Sequence, residues 1–386
     1  MAKTMRMEME EVLQHFRELE DPRSCVNRVH PLETVIVIAI MAVLAGASGP
    51  TSIARWANLK AKLLRRLLRL PDGIPQKDVY RRVLMALKPD AFQACFMVWV
   101  SALREAAAQA SGIERPTFAI DGKTLRRSHD HKRNLGALHC VSVWASEFGL
   151  TLAQVATEEK SNEITAIPEV LSLVDIHGAI ITIDAMGTQT AIAEQIIDGG
   201  GDYALALKGN QETLFAAAQE YISAQMESNY EGIDARQFRT TEKKHGRTEE
   251  RLYVQMPAPK HLPGFNRWKN LASIGVAILS CIRNGTETIE SRYFISSLPV
   301  KVKQFAHAVR SHWGIENSCH WCLDVTYRED ESRIREDQLR ENFAWLNRLT
   351  LSLLKQHPRK DSVAMKRRAC GWNDDFMLEV LTGPSS

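Results

Sequence analysis

The sequence lacks any apolar run long enough to cross a membrane. The longest run, from Val35 to Ala47 in a chain of 386 residues, is well short of the roughly 20 residues that a span requires. We therefore interpret it as a buried helix. Cysteine is scarce and scattered, with an odd count of seven, which argues against a disulfide framework. Because the first residues have the pattern of a charged amphipathic helix rather than a secretion signal, we expect a reducing cytoplasm.

A large net charge is absent too, since the formal value is only +3 and does not by itself indicate a polyanionic partner. The charge is unevenly distributed, however. Residues 51–88 contain ten Lys and Arg against two Asp, a local charge of +8 that leaves −5 for the rest of the chain. A basic segment on a slightly acidic protein is typical of a surface that meets phosphate. Its apolar stripes are equally typical of ordinary bundle helices, so both interpretations stay open.

The order of hydrophobic periodicities divides the chain into five regions. Residues 1–112 are helical throughout and predict an all-α N-terminal domain that binds DNA ends. Over 113–228 the order is strand, hairpin, helix, strand, helix, strand, helix, which predicts a mixed α/β sheet. Short strand-like pieces over 229–290 indicate a β-rich insertion. Helical periodicity returns over 291–356, and 357–386 is predicted to be a basic, weakly patterned tail.

Two predicted strands end on a carboxylate. Asp121 ends the stretch TFAID, and Asp184 ends ITID. Because such strand ends meet at one edge of an α/β sheet, we expect the two side chains to lie close together. Neighbouring carboxylates repel each other unless a cation lies between them, and Mg²⁺ prefers oxygen ligands while keeping positions for phosphate oxygens. For either Asp alone, a strand-end cap or turn is the alternative.

The helical pattern after the insertion supplies a third acid, Glu316 in HWGIEN. His312, Glu316 and His320 follow one another every four residues, which places them on one helical face. We expect that face to point at Asp121 and Asp184, completing the three carboxylates of a two-metal phosphodiester site. A zinc site on the same face is the alternative.

Cations follow the first carboxylate and recur later in the chain. We predict that three of them hold a DNA backbone near the metal ions: Lys123, Arg126 and Arg127. Lys208, His245 and Arg247 are candidates for the same role, and a solvated loop charge is the alternative for each. Cys319 and Cys322 form a CxxC pair without a second pair at zinc-like spacing, which leaves core packing and a structural or redox role open.

Several motifs taken together resemble one protein family. They are DPRSCVNRVHPLETVIVIAIMAVLAGA, FAIDGKTLRRS, ITIDAMGTQ, YALALKGNQ, EKKHGRTEER, RSHWGIENSCHWCLDVTYREDESRIR and ENFAWLNRL. Over nearly its whole length the chain resembles the DDE transposases of bacterial insertion sequences, specifically the H-repeat-associated group linked to Rhs elements. The resemblance implies an RNase H-like catalytic core whose triad is Asp121, Asp184 and Glu316.

The resemblance also implies a function. A transposase of this kind would bind the ends of its element, cleave phosphodiester bonds and transfer 3′-hydroxyl ends to target double-stranded DNA. It would use Mg²⁺, with Mn²⁺ able to substitute, and act at the bacterial nucleoid as a homodimer or higher multimer. A catalytically inactive DNA-binding relic and a plain nuclease without strand transfer remain the alternatives.

The chain departs from the wider superfamily around the third acid. Where that superfamily has Tyr, Arg and Lys, this sequence has Val309, His312 and Leu323. We expect the missing phosphate-positioning cations to be replaced from nearby, by Arg310, His312 or Arg328.

Overall fold

Helices form the first part of the structure. The computed structural model describes residues 8–133, 135–157, 163–244 and 246–383. The α-helices before the first strand are Met9–Gln14 (α1), Leu32–Leu44 (α2), Pro50–Leu59 (α3), Ala61–Leu67 (α4), Lys77–Ala86 (α5) and Pro89–Ser111 (α6). The apolar run of the sequence is α2, which is buried at every residue except Glu33 and so forms the centre of the helical core.

The length of these helices limits what they can do. Within the described residues, no single helix is long and apolar enough to cross a membrane, although α5 and α6 together, bent by 96°, meet that test by length and composition. α6 ends at Gly112, whose φ of 67° lies in the left-handed region. Glycine adopts that conformation without a steric penalty, so it is a common helix terminator.

A mixed sheet forms the middle of the structure. In the described part of the chain it has nine strands: Thr117–Thr124 (β1), His139–Ala145 (β2), Leu150–Thr157 (β3), Ile180–Ile183 (β4), Asp202–Leu207 (β5), Arg236–Lys244 (β6), Arg247–Pro257 (β7), Ser273–Arg283 (β8) and Thr286–Ser296 (β9). Their order is β3-β2-β1-β4-β5-β9-β8-β7-β6. β1 pairs antiparallel with β2 and parallel with β4, which pairs parallel with β5. The first five strands therefore confirm the predicted RNase H-like core.

The central strands are apolar because helices cover the sheet. Every residue of β4 is buried, as expected for a parallel strand with both faces covered. The helices that connect the core strands are Glu163–Ser172 (α7), Thr190–Asp198 (α8) and Glu212–Glu227 (α9). β1 is buried from Thr117 to Ile120 and opens to partial exposure at Asp121. The burial pattern thus ends where the first carboxylate begins.

The predicted β-rich insertion is confirmed and extends the core sheet. β9 pairs antiparallel with β5, and β8, β7 and β6 follow outward from it. β9 continues to Ser296, beyond the predicted end of the insertion at 290. The outermost strand, β6, carries the exposed cations Arg236, Arg239 and Lys243, which discourage pairing of this free edge with another chain.

The last helices join the sheet to the N-terminal helices. They are Val302–Gly314 (α10), Trp321–Val325 (α11), Asp337–Gln356 (α12), Val363–Trp372 (α13) and Asp374–Thr382 (α14), with a π-helical segment at Ile315–His320. α12 is buried along most of its length and packs against β3, α2, α5 and α6.

Where the sequence predicts a basic tail at 357–386, the structure has α13 and α14. Arg367 explains why this segment is ordered although it is basic. Its buried guanidinium donates hydrogen bonds to the carbonyl oxygens of Val43 (3.2 Å), Ala47 (3.4 Å) and Thr326 (2.9 Å). A charge in the helical pattern thus belongs to the interior.

Candidate active site

The first carboxylate stands at the point where β1 emerges from the core. The side chain of Asp121 is 20% exposed, and its Oδ1 accepts a hydrogen bond of 2.9 Å from the backbone N–H of Gly122. Its Oδ2 lies 3.5 Å from Nδ1 of His320. Asp121 is opposite Ser142 of β2 in the sheet register. The strand and its neighbour therefore fix the backbone of this residue.

The second carboxylate follows β4, the parallel neighbour of β1. The Oδ1 of Asp184 accepts a hydrogen bond of 3.2 Å from the backbone N–H of Gly187, so the carboxylate closes a tight turn. A Cβ atom at Gly187 would lie 2.4 Å from Cγ2 of Ile183 and 2.6 Å from Cδ1 of Ile167. The turn after Asp184 therefore needs glycine at this position.

The third carboxylate lies in the π-helical segment after α10. Glu316 is exposed and lines a cavity of about 260 Å³ together with Asp184, Lys208 and His312. A π-helix widens the helical turn and is frequent at functional sites. The prediction that the Glu316 helix faces the Asp pair is consistent with this shared cavity.

The electrostatics bring the three acids together. Burial raises the pKa of Asp121 to about 7, and the negative charges of Asp184, Glu316 and Glu163 raise it further, against the hydrogen bond from Gly122. Each of these carboxylates is thus close enough to oppose ionisation of Asp121. Among the described residues, no group of three or more His, Cys, Asp or Glu side chains stands close enough to hold a metal ion. The donor set nevertheless fits a divalent cation, since hard oxygen ligands of like charge are what such an ion binds.

Two buried histidines lie beside these acids. Nδ1 of His312 is 3.0 Å from Oγ1 of Thr182, and burial lowers the pKa of His312 to about 4, against the charge of Asp184. Burial also lowers the pKa of His320 to about 3, and the charges of Arg348 and Lys123 act in the same direction. Both imidazoles are therefore neutral near pH 7. A neutral, buried His312 favours an orienting role over the predicted contact with phosphate.

Comparisons with known proteins agree with this geometry. The profile described as "Transposase DDE domain" matches residues 112–353, and the one described as "DDE_Tnp_1-associated" matches residues 13–100. The "H repeat-associated putative transposase YhhI" of Escherichia coli (strain K12) is 35% identical over 383 residues, which cover 98% of this chain and 99% of that protein. The chain belongs to the DDE transposase family. The resemblance predicted from the sequence motifs is thereby confirmed.

Two further comparisons differ in weight. "Putative transposase YncI" of Escherichia coli O157:H7 is 37% identical over 384 residues, which cover 98% of this chain and 96% of that protein. The cryo-EM structure of the piggyBac transposase synaptic complex with hairpin DNA matches with a TM-score of 0.39 and 12% identity, covering 98% of this chain and 80% of that one. A score this low supports no structural conclusion.

The cations that follow Asp121 differ from one another in their surroundings. Lys123 is buried, and its Nζ lies 2.5 Å from Oδ1 of Asp324. Arg126 is exposed, and its Nε lies 3.2 Å from Oδ2 of Asp330. Arg127 is exposed at the surface. The two arginines keep their predicted accessibility in this transposase family member, whereas Lys123 has protein partners.

A second cavity adjoins the acids on the side of the insertion. It measures about 540 Å³ and is lined by Glu316, Trp313 and cations of β7, β9 and α10, namely Arg247, Arg251, Arg292 and Arg310. The guanidinium of Arg292 lies 3.9 Å from the centre of the Trp313 ring, a cation–π contact. Arg251 and Arg292 were not anticipated from the sequence. Both become relevant only because β7 and β9 pass beside α10.

The remaining predicted site residues have varied positions. Lys208 is exposed at the rim of the smaller cavity. Arg328 is exposed, has a positive φ of 57°, and pairs with Glu331. His245 lies outside the described residues. Cys319 and Cys322 are buried in the hydrophobic core.

A further buried pair beside Asp121 was missed by sequence reasoning. Oε1 of Glu163 in α7 lies 2.7 Å from Nε2 of His139, whose Nδ1 is 2.7 Å from Oγ1 of Thr124. Both side chains press on Gly122, because a Cβ there would lie 2.3 Å from Oε1 of Glu163 and 2.5 Å from Nε2 of His139. The glycine of the DGK motif is therefore required by packing. An acid at a helix start, just after the hairpin, was the signal available.

The basic helices form a separate cationic surface. Lys60 pairs with Asp374 at 2.7 Å and Arg81 with Glu336 at 3.7 Å. The other cations of this surface are exposed and form no ion pair with the part of the chain that the structure describes: Arg55, Lys62, Arg65, Arg66, Arg69, Lys77, Arg82 and Lys88. Such unpaired charge is available to a polyanion.

Proposed function

We propose that this protein is an active transposase that cuts DNA at the ends of its own element and joins the freed 3′-hydroxyl groups to target DNA. The observation that carries the proposal is the convergence of Asp121, Asp184 and Glu316, which come from two adjacent strands and the segment after α10. Membership in the DDE transposase family supports the same reaction class.

The three acids would hold the divalent cations, Mg²⁺ or Mn²⁺. When bound, such ions activate a water or hydroxyl nucleophile and stabilise the attacking and leaving oxygens. The chain's own contribution is to bring the carboxylates together and to fix their backbones in β1, after β4 and in the π-helical segment. The buried neutral imidazoles of His312 and His320 flank the acids and limit access of bulk water.

The two cavities define a path for the scissile DNA strand. Glu316, Trp313 and Arg292 line both of them, so they adjoin at the third carboxylate. Lys208 lies on the side of Asp184, and Arg247 and Arg310 lie on the side of the insertion. Cations on both sides of the acids would hold the backbone phosphates that flank the reacting one.

The cationic surface of α3, α4 and α5 would bind the duplex of the element ends. Its exposed Lys and Arg residues have no carboxylate partners in the described residues, so phosphate contact does not require breaking ion pairs. Binding of paired ends by a homodimer or higher multimer is part of the proposal and is carried by the family resemblance. The site of action would be the bacterial nucleoid.

A strand-transfer assay tests the proposal against its alternatives. The protein is mixed with Mg²⁺, a target plasmid, and a duplex that carries one element end with a free 3′-hydroxyl. Joined products are expected. Nicked plasmid without joined products would instead indicate a plain nuclease, and binding without any cleavage would indicate a DNA-binding relic.

A further inference from the structure

Lys123 has the surroundings of an internal ion pair rather than of a DNA ligand. It lies two residues after Asp121 in β1, and its side chain is only 6% exposed. Its Nζ is 2.5 Å from Oδ1 of Asp324 and 3.1 Å from Oδ1 of Asp330. The ammonium therefore already has two carboxylate partners, and a phosphate would have to displace them.

These partners connect the two ends of the candidate active site. Asp324 lies in α11, eight residues after Glu316, and Asp330 lies between α11 and α12. The strand that carries the first carboxylate is thus tied to the helical segment that follows the third. The contact spans 201 residues of sequence, so local structure alone does not create it.

A second ion pair lies beneath this one. The side chains of Glu329 and Arg348 are fully buried, and Oε1 of Glu329 is 3.1 Å from NH1 of Arg348. The Nε of Arg348 donates a hydrogen bond of 3.4 Å to Oγ of Ser142, the residue opposite Asp121 in the sheet. The backbone around Asp121 is thereby linked to α12 as well.

We propose that Lys123 is a positioning residue, which with Asp324 and Asp330 sets the distance between Asp121 and Glu316 and does not contact DNA. The proposal rests on the proposed function in that Asp121 and Glu316 are taken as the reacting site. It replaces the role of phosphate ligand that the sequence predicts for Lys123. The proposal is specific to this lysine, since Arg126 and Arg127 are exposed.

The test compares three variants in the full-length protein: Lys123→Met, Asp324→Asn and a matched control, Lys269→Met. Lys269 also pairs with two carboxylates, Asp198 and Glu194, but lies away from the acids at α8. For each variant we would measure the cleavage rate at saturating DNA, the DNA affinity as a function of salt, Mn²⁺ binding by calorimetry without DNA, and thermal unfolding.

The positioning role predicts one consistent result. Lys123→Met and Asp324→Asn should each lower the cleavage rate and the affinity for Mn²⁺ by about 10- to 100-fold, as is typical when an outer partner of a metal ligand is removed. DNA affinity and its salt dependence should not change. Lys269→Met should behave like the native protein. Because Asp324 is 37% exposed, Asp324→Asn is expected to fold even if Lys123→Met does not.

The DNA-contact alternative predicts the opposite for two quantities. Lys123→Met would reduce the slope of log affinity against log salt by about 0.9, and Asp324→Asn would raise the affinity by freeing the ammonium. Either result overturns the proposal, as do cleavage and Mn²⁺ binding that stay native in both variants. If the native protein binds DNA and does not cleave it, the proposed function fails, and the Mn²⁺ titration still decides whether Lys123 organises the acids.

Discussion

Removing one member of the buried pair Glu329–Arg348 should destabilise the protein strongly. Both side chains have no solvent exposure, and Glu329 accepts hydrogen bonds from Arg348 (3.1 Å) and from Nδ2 of Asn347 (3.2 Å). Glu329→Gln would leave the guanidinium without a counter-ion in the interior. An uncompensated buried charge of this kind costs about 3–5 kcal/mol in the free energy of unfolding.

The double variant gives the sharper result. In Glu329→Gln with Arg348→Met, both charges are gone, so the penalty for an unpaired charge disappears along with the attraction. We expect the double variant to lose about 2–3 kcal/mol less than the sum of the two single losses, a coupling typical of residues in direct contact. Urea unfolding at pH 7, followed by circular dichroism, measures all four proteins.

Two results would refute this reasoning. Losses below about 1 kcal/mol in both single variants would mean that water or another group compensates the remaining charge. Additive losses would mean that Glu329 and Arg348 do not interact. A confirmed coupling would support the description of the region behind Asp121 as held by buried charges.

Three further predictions follow from other contacts. Gly122→Ala should lower stability by about 1–3 kcal/mol and reduce cleavage, because its Cβ would overlap the buried Glu163; native melting temperature and rate would contradict this packing. The hydrogen bond and charge of Glu147 raise the pKa of His307 against the effect of burial, so their pair stabilises the fold fully below pH ~6, and this stabilisation is lost as pH rises through the raised pKa. His307→Gln should therefore lower the melting temperature more at pH 6 than at pH 9, by under about 1 kcal/mol since the histidine is 58% exposed; an equal loss at both values would argue against it. A triple alanine variant should weaken binding to all duplexes and reduce the salt slope by about 0.9 per contact, and an unchanged slope would exclude this surface, for residues Arg65, Arg66 and Arg69.

The sequence was sufficient for the features that depend on strand ends and periodicity. Asp121 and Asp184 could be predicted to meet because each ends an apolar stretch and such ends share a sheet edge. Glu316 could be predicted because a helical pattern surrounds it. These are local signals, and the sheet order turns them into one site.

Other features depend on contacts that no local pattern records. The π-helical segment at Ile315–His320 arises from how α10 meets the sheet, since the sequence there is compatible with an ordinary α-helix. Lys123 was assigned to DNA because its partner Asp324 is 201 residues away. The segment expected as a tail forms helices because Arg367 reaches backbone carbonyls of the N-terminal part.

The same limit applies to the second cavity. Arg292 stands among alternating charges in β9, which is the ordinary pattern of an exposed strand. Only the crossing of β9 and α10 places its guanidinium over Trp313 and beside Glu316. Residues of this kind are found by geometry, and their role in DNA binding is a matter for experiment.

The most direct measurement of the central claim is metal-dependent cleavage of DNA that carries the element ends, with native protein and three variants. These are Asp121→Asn, Asp184→Asn and Glu316→Gln. We predict cleavage by the native protein with Mg²⁺ or Mn²⁺ and losses of more than about 100-fold in each variant, beyond those typical of outer-shell partners, with DNA affinity retained. Cleavage within tenfold of the native rate in any one variant would contradict a site built from all three acids.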